Sequence, residues 1–420
     1  MPAAEQQRLR VLRICSVFEP PDAALTGRGV KFDPIGGMQN HTAQLTRALD
    51  ELGVQQDVIT HRPPGAPRVQ PFGSHGVVYR SGLVLPAARQ FYSAGATRLA
   101  WRLASLADVV HAHVGEDVAV LPIALMAARR AGVPLVVTLH AAMRYRFVGS
   151  GVRGWALKRI GGGIEAAACR RADAVIALSA YVADRLREDG VARERVRIIP
   201  PGVNPAEFAA PAPDPFPDLG HPRVVYAGRL AYQKGVDMLI EAFARVRTPG
   251  ARMLLVGDGP QRGRLEEAIR RHGLSERVLI AGFRPHREIP AILRHADIFC
   301  LPSRYEELSS ALLEAMHAGV AIVATRVGGS AEAIGSAGRI VAAGNPAALA
   351  EAIDVLLTRP DEAARLGSLA HERARRYAWP QLAIEILALY HSCERSDSSS
   401  RAGHRGRGRA PVPDPRGQLE

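Results

Sequence analysis

The chain is short of the residues that announce special architectures. It has only 4 cysteines in 420 residues. Cys15, Cys169, Cys300 and Cys393 stand far apart, with no Cys-x-x-Cys pair. That spacing argues against a disulfide scaffold or a zinc knuckle and suits reduced thiols in a cytoplasmic protein. Aromatic residues make up 5%, and no basic stripe is interleaved with Tyr or Phe for base stacking, so nucleic acid is not the expected partner. Long apolar runs are missing too. The longest, 118–128, is too short to span a bilayer, so no transmembrane segment is expected. The opening MPAAEQQRLR has no apolar core of the kind a signal peptide carries.

What remains is a globular composition, 47% hydrophobic and 23% charged. Lys+Arg 54 against Asp+Glu 41 gives 54 − 41 = +13. Much of the excess is Arg scattered along helical stretches, and residues 395–420 hold six Arg against three acids, a net +3. A solvated basic surface accounts for this; a weak pull on an anionic sugar nucleotide or a membrane face is the functional alternative.

Short runs rich in Val and Ile alternate with helical stretches. Strands are predicted at 11–17, 58–60, 77–80, 108–112, 135–139, 174–178 and 197–199, with helices such as 39–52, 121–131, 155–171 and 181–189 between them. Runs apolar on both faces and separated by helices read as a parallel sheet covered on each side. Residues 200–222 are dense in proline and read as a linker or hinge. The rhythm then restarts, with strands at 223–227, 252–256, 277–281, 297–301 and 321–324. The expected organisation is an α/β chain with an amino-terminal domain over 1–204, a linker over 205–222 and a second domain over 223–379. A last helix at 380–393 precedes a Ser/Arg/Gly/Pro-rich tail over 394–420 that is expected to be disordered. Ligands of such sheets bind at the carboxyl ends of the strands, so two facing halves would form a cleft.

Several strand ends carry chemistry. Gly36-Gly37 opens the first helix, where backbone amides can approach an anion; a plain turn is the other reading. Gly228-Arg229-Leu230 and Lys234-Gly235 follow the first strand of the second half, where a guanidinium fork and an ammonium can grip a diphosphate; two solvated cations are the alternative. Glu306 lies in a strand-to-helix loop and Glu314 in the following helix, beside apolar Ala311, Leu312 and Ala315. Carboxylates there can accept hydrogen bonds from vicinal diols. His140 ends the strand 135–139 and can bond a substrate hydroxyl, or serve packing. His111 and His113 have no accompanying third ligand pattern and read as packing or pocket lining, so no metal is expected. Gly257-Asp258-Gly259-Pro260 reads as a tight turn.

Taken in order, the glycine pair, GRLxxxKG at 228–235, Glu-x7-Glu at 306–314 and AMxAG at 315–319 resemble the retaining GT-B glycosyltransferases of family GT4. The resemblance covers about residues 10–391. It implies two facing Rossmann-like domains with a cleft between them, a last helix at 380–393 crossing back to the first domain, a UDP-sugar co-substrate, no cofactor and no metal. It implies that Gly36 and Gly37 face the donor diphosphate or the sugar, and that Arg229 and Lys234 hold the diphosphate. Glu314 would bind ribose hydroxyls. Glu306, with the amides of Glu307, Leu308 and Ser309, would hold the donor sugar. His140 would contact the sugar near its 6-hydroxyl, and Phe283 and Arg284 the uracil edge. The family often has Gly-Phe-Gly where this chain has Glu307-Leu308-Ser309; the added carboxylate suits an amino sugar or a polycationic acceptor, and Glu116 and Asp117 would extend such a patch.

A narrower resemblance lies in FDPIGGMQNHTAQLTRAL at 32–49 and in Tyr305-Glu306-Glu307-Leu308. These segments are similar to the glycosyltransferases that build aminoglycoside antibiotics on 2-deoxystreptamine. The resemblance implies an aminoglycoside acceptor, a pseudodisaccharide such as paromamine or neamine. The implied donor is UDP-kanosamine in kanamycin-type assembly or UDP-xylose in gentamicin-type assembly. Two other readings compete. One is a lipid or cell-wall acceptor, met through Arg144, Arg146, Phe147, Arg153, Trp155, Lys158 and Arg159; the other is a non-catalytic sugar-nucleotide binder. An epimerase on a related scaffold is argued against by the Glu-x7-Glu pair.

Overall fold

Alternation of apolar residues builds two sheets. The computed structural model describes residues 8–19, 37–63, 65–82, 93–115, 117–140 and 157–400, which divide into two units, 1–199 with 382–420 and 200–381. In the first unit, β1 (Arg10–Cys15), β2 (Gln55–His61), β3 (Val69–Phe72), β4 (Gly76–Ser81), β5 (Val109–Val114), β6 (Leu135–Leu139), β7 (Ala174–Ala177) and β8 (Val196–Ile198) form an 8-stranded sheet ordered β3-β4-β2-β1-β5-β6-β7-β8. Every pairing is parallel except β3 with β4. The intervening helices are α1 (Gly37–Glu51), α2 (Ser93–Leu103), α3 (Val120–Ala131), α4 (Gly162–Cys169) and α5 (Ala180–Glu188). The N-terminus of α5 is closed by Ser179 Oγ, which accepts from the Val182 amide at 3.4 Å.

The second unit holds β9 (Arg223–Ala227), β10 (Arg252–Val256), β11 (Val278–Gly282), β12 (Ile298–Leu301), β13 (Ala321–Thr325) and β14 (Arg339–Val341), all parallel and ordered β11-β10-β9-β12-β13-β14. Counted from its first strand this is 3-2-1-4-5-6, the doubly wound order. Its helices are α6 (Val236–Phe243), α7 (Arg262–Arg271), α8 (Ile289–Arg294), α9 (Ser310–Ala318), α10 (Ser330–Ile334), α11 (Pro346–Thr358) and α12 (Pro360–Ala374). The period of two in the strands feeds two cores. Val224, Tyr226, Met253, Leu255, Ile298 and Cys300 point to one face. Val225, Ala227, Leu254, Val256, Phe299 and Leu301 point to the other. A strand buried on both faces needs a helix layer on each, which the βα connections supply.

Two boundaries differ from the sequence expectation. The proline-rich stretch 205–222 is not a loose linker. It carries 3₁₀ turns at Pro205–Phe208 and Pro217–Leu219, it buries Phe208, and its Asp214 makes two bonds of 3.0 Å to Arg223, a fully buried guanidinium at the start of β9. A buried charge needs such a partner, and this need ties the stretch to the sheet. The last helix, α13 (Trp379–Ser400), also continues past residue 393, because neither Gly nor Pro occurs before Gly403 to end it. All four cysteines are buried and free of disulfides. Among the described residues no helix is long and apolar enough to cross a membrane.

Candidate active site

In a doubly wound sheet the binding crevice opens where the strand order reverses. In the second unit that point lies between β9 and β12, and the two loops leaving their carboxyl ends are locked together. Arg304 makes a fork of 2.6 and 2.7 Å onto Asp237, donates to the Tyr232 carbonyl at 3.1 Å and stacks 4.4 Å over the Tyr232 ring. The amides of Arg304 and Tyr305 donate to the Gln233 carbonyl at 2.8 and 3.2 Å. Gly235, at φ 63°, lies so near β12 that a Cβ would sit 2.2 Å from the Pro302 carbonyl oxygen. This close approach brings Lys234 Nζ into an ion pair with Glu306 Oε2. From the other side, Gly328 at φ 49° packs against the Glu306 carbonyl, and the Gly329 amide donates to the Glu307 carbonyl at 2.6 Å. Arg229 stands at the end of β9 with its carbonyl accepting from the Tyr226 hydroxyl at 2.9 Å. Burial, and then the charge of Glu306, push the Tyr226 phenol up, so it stays protonated as that donor.

Glu307, Leu308 and Ser309 belong to the same loop and lead into α9, whose N-cap Ser309 makes no side-chain cap bond. The Glu307 carboxylate is only 5% exposed and accepts from the Tyr305 hydroxyl at 3.4 Å. Glu314, one turn into α9, is also buried. Its Oε1 lies 3.1 Å from His286 Nε2, whose other ring nitrogen lies 3.5 Å from Glu207 Oε2. An imidazole between two carboxylates can hold one of them ready to accept from a diol.

The first unit reverses its strand order between β1 and β5, and histidines gather at those strand ends. His111 and His113, on β5, are fully buried. His113 Nε2 lies 3.0 Å from Nη1 of the fully buried Arg13 on β1, and His113 Nδ1 lies 3.0 Å from His140 Nε2. His41, on α1, meets His140 edge to face at 4.5 Å. Burial first, then neighbouring positive groups including Arg13, hold His41, His111 and His113 well below the ordinary histidine range; burial alone takes His140 down to about 3. The nitrogens of His41, His113 and His140 lie within 4.8 Å of one another, a spacing a cation could use. The donor set does not fit one. Arg13 occupies one nitrogen of His113, His140 engages the other, and a dication would share the site with a buried guanidinium.

These observations meet the comparison with known proteins. Residues 35–207 match Glycosyltransferase Family 4, and residues 213–373 match glycosyl transferases group 1. A 2-deoxystreptamine glucosyltransferase of Streptomyces kanamyceticus is 32% identical, over 77% of this chain and 90% of that protein. The chain belongs to glycosyltransferase family 4. An alpha-D-kanosaminyltransferase of the same organism is 30% identical to this family member, over 82% of this chain and 98% of its own length. Among solved structures, a sucrose-phosphate synthase from Thermosynechococcus elongatus superposes with a TM-score of 0.78 at 24% identity, covering 92% of this chain and all of that one. Anabaena HepE in complex with UDP-glucose superposes with a TM-score of 0.70 at 20% identity, covering 92% and 100%. The two parallel-sheet, Rossmann-like units of this glycosyltransferase are those of the GT-B fold.

The residues singled out in the glycosyltransferase sequence fare differently. Lys234 and Glu306 are in contact, and Arg229, Glu307, Leu308, Ser309 and Glu314 share or follow the same strand ends. Arg284 instead stacks 4.9 Å over Phe216 and lies 3.7 Å from Glu288, while Phe283 is 39% exposed. Asp117 spends Oδ1 on the Ala119 amide at 2.9 Å, entering α3. Gly37 starts α1 and is exposed. Gly36, Glu116 and the basic residues 144–155 lie outside the described residues. Gly257 and Gly259 do more than turn: a Cβ on either would strike the backbone of Gly228 or Leu230. Sequence reasoning missed Glu207, His286, His41 and Arg13. Of these only Arg13 carried a signal, a charge inside the apolar strand RVLRIC.

Proposed function

We propose that the chain transfers a sugar from a UDP-sugar to a hydroxyl of an aminocyclitol pseudodisaccharide of the paromamine or neamine type, with retention at the anomeric carbon and without a metal. UDP-kanosamine is the donor this reading favours. The observation that carries it is the pairing of Lys234 with Glu306 where the strand order of the second unit reverses. On this reading the diphosphate displaces Glu306 as the partner of Lys234, Arg229 supplies the second cation, and Glu306 with the amides of Glu307, Leu308 and Ser309 turns to the sugar. Glu314 takes the ribose diol, Phe283 and Arg284 take the uracil edge, and His140 takes the sugar near its 6-hydroxyl. Gly36 and Gly37 let the backbone approach the diphosphate. As the bond from C1 to the phosphate oxygen breaks, the acceptor oxygen bonds C1 from the same face and passes its proton to the leaving phosphate. Arg229 and Lys234 stabilise the charge that develops there.

Relatives named for 2-deoxystreptamine glucosyl transfer and kanosaminyl transfer support the acceptor class, and a structural neighbour holding UDP-glucose supports the donor class. Glu307, Glu116 and Asp117 would give the cationic acceptor local acidic contacts against a net charge of +13. At physiological salt the global field is screened over about 8 Å, so the local contacts decide. The test is incubation with UDP-kanosamine, UDP-glucose, UDP-N-acetylglucosamine and UDP-xylose, each with paromamine, read by mass spectrometry and by NMR of the new anomeric proton. A product one sugar heavier with the donor's configuration, formed in the presence of EDTA, is expected. No product from any pair, or an inverted linkage, defeats the proposal.

A further inference from the structure

The hydrogen bonds around Arg13 run in one direction. Arginine has donors and no acceptor, so Arg13 Nη1 donates to His113 Nε2 at 3.0 Å. Neutral His113 then carries its proton on Nδ1 and donates to His140 Nε2 at 3.0 Å. His140, accepting at Nε2, keeps its own proton on Nδ1. Beside it, the Tyr390 hydroxyl lies 2.6 Å from His111 Nδ1, and His111 Nε2 lies 2.7 Å from Thr138 Oγ1. Arg13 Nη2 donates to Gln56 Oε1 at 2.8 Å, and Gln56 Nε2 passes the direction on to the Thr46 carbonyl at 2.8 Å.

Among the described residues no carboxylate partners Arg13, and the guanidinium is 0% exposed. Burying a charge without a counter-ion is costly, and an apolar residue in β1 would avoid that cost. Packing therefore does not explain Arg13, whereas a source of fixed donors does. We propose that Arg13 is a positioning residue for His140, imposing through His113 the tautomer in which His140 offers Nδ1–H to the substrate. This rests on the assignment of His140 to the sugar.

Nitrogen-15 NMR of the histidine-labelled full chain reads the tautomer directly, with His140→Ala identifying the signal. The parent chain is expected to show His140 protonated on Nδ1 and bare on Nε2; a proton on Nε2 overturns the relay. His113→Gln keeps an acceptor for Arg13 and a donor for His140, and should retain the tautomer and the parent kcat. His113→Phe removes both, and kcat for transfer from UDP-kanosamine or UDP-glucose to paromamine should fall about tenfold, with donor KM changing far less. In a His140→Ala background His113→Phe should cost nothing more. Equal kcat for the Gln and Phe variants, or additive losses, defeats the proposal. A His140→Ala chain as active as its parent instead defeats the assignment of His140 to the sugar, and the NMR result still judges the relay.

Discussion

Lys234 and Glu306 neutralise each other where the proposed chemistry needs a cation, and their side chains are 22% and 14% exposed. The pair is wet enough to open and dry enough to matter. On the proposed reading a diphosphate would bring two or more negative charges to Lys234, outcompete one carboxylate and release Glu306. On that reading Arg229 would add a planar fork to the same diphosphate. Lys234→Ala and Arg229→Ala should each lower turnover about 100-fold, as the loss of a donor to developing charge does elsewhere. Steady-state kinetics checks this, and near-parent turnover in both variants would refute the diphosphate clamp. His286 and Glu207 act differently. His286 meets Glu314 at 3.1 Å and Glu207 meets the other nitrogen of His286 at 3.5 Å, so their part is to orient a carboxylate already in place.

At the scale of elements, the site exists because three loops approach more closely than side chains allow. Gly235 is the tightest case that bears on Lys234. Its φ of 63° is unfavourable for an L side chain, and a Cβ there would meet the Pro302 carbonyl at 2.2 Å. Gly235→Ala should therefore cost about 1–3 kcal/mol of stability and separate Lys234 from Glu306. The expected result is a lower melting temperature together with turnover as poor as that of Lys234→Ala; an unchanged melting temperature would show that the loop can give way. The same loops explain what could be read from the sequence. Strands such as RVVYA and AIVAT are apolar on both faces and stand out, whereas β3 and β14 have exposed, mixed patterns and show only when a neighbour pairs with them. The motifs at 228–235 and 306–314 were legible because each follows a strand and opens a helix. Glu207 and His286 were not, since their contact joins a proline-rich turn to a loop far along the chain and no spacing records it. Arg13 stands as a charge inside the apolar strand β1 and was missed, because its meaning lies in His113 and Gln56, at sequence separations that only the fold closes.

At the scale of the whole molecule, the two units have separate cores, so unfolding need not be a single transition. Acid should distinguish them. In the first unit His41, His111, His113 and His140 all resist protonation when folded, while in the unfolded chain each titrates near about 6.5. Above that pH both states are neutral and stability is complete. Below it the unfolded chain takes up protons that the folded unit refuses, so stability falls as pH drops toward the depressed folded values. Each such group contributes at most about 1.4 kcal/mol per pH unit in that window. In the second unit burial holds His317 down to about 4. Calorimetry between pH 7.5 and 5 should therefore show two transitions, one falling steeply with acid and the other only slightly. UDP offers the converse lever. Held mainly by the second unit on the proposed reading, with Gly36 and Gly37 of the first facing its diphosphate, it should raise the acid-tolerant transition, by about 2.7 kcal/mol at a hundred times its Kd, and the acid-sensitive one less. Hydrogen exchange on β5 and on β12 would assign each transition to its unit. If both transitions moved equally with acid, or UDP raised the one that carries the histidines more than the other, the division between a neutral histidine cluster in one unit and an anion-receiving pair of loops in the other would be wrong.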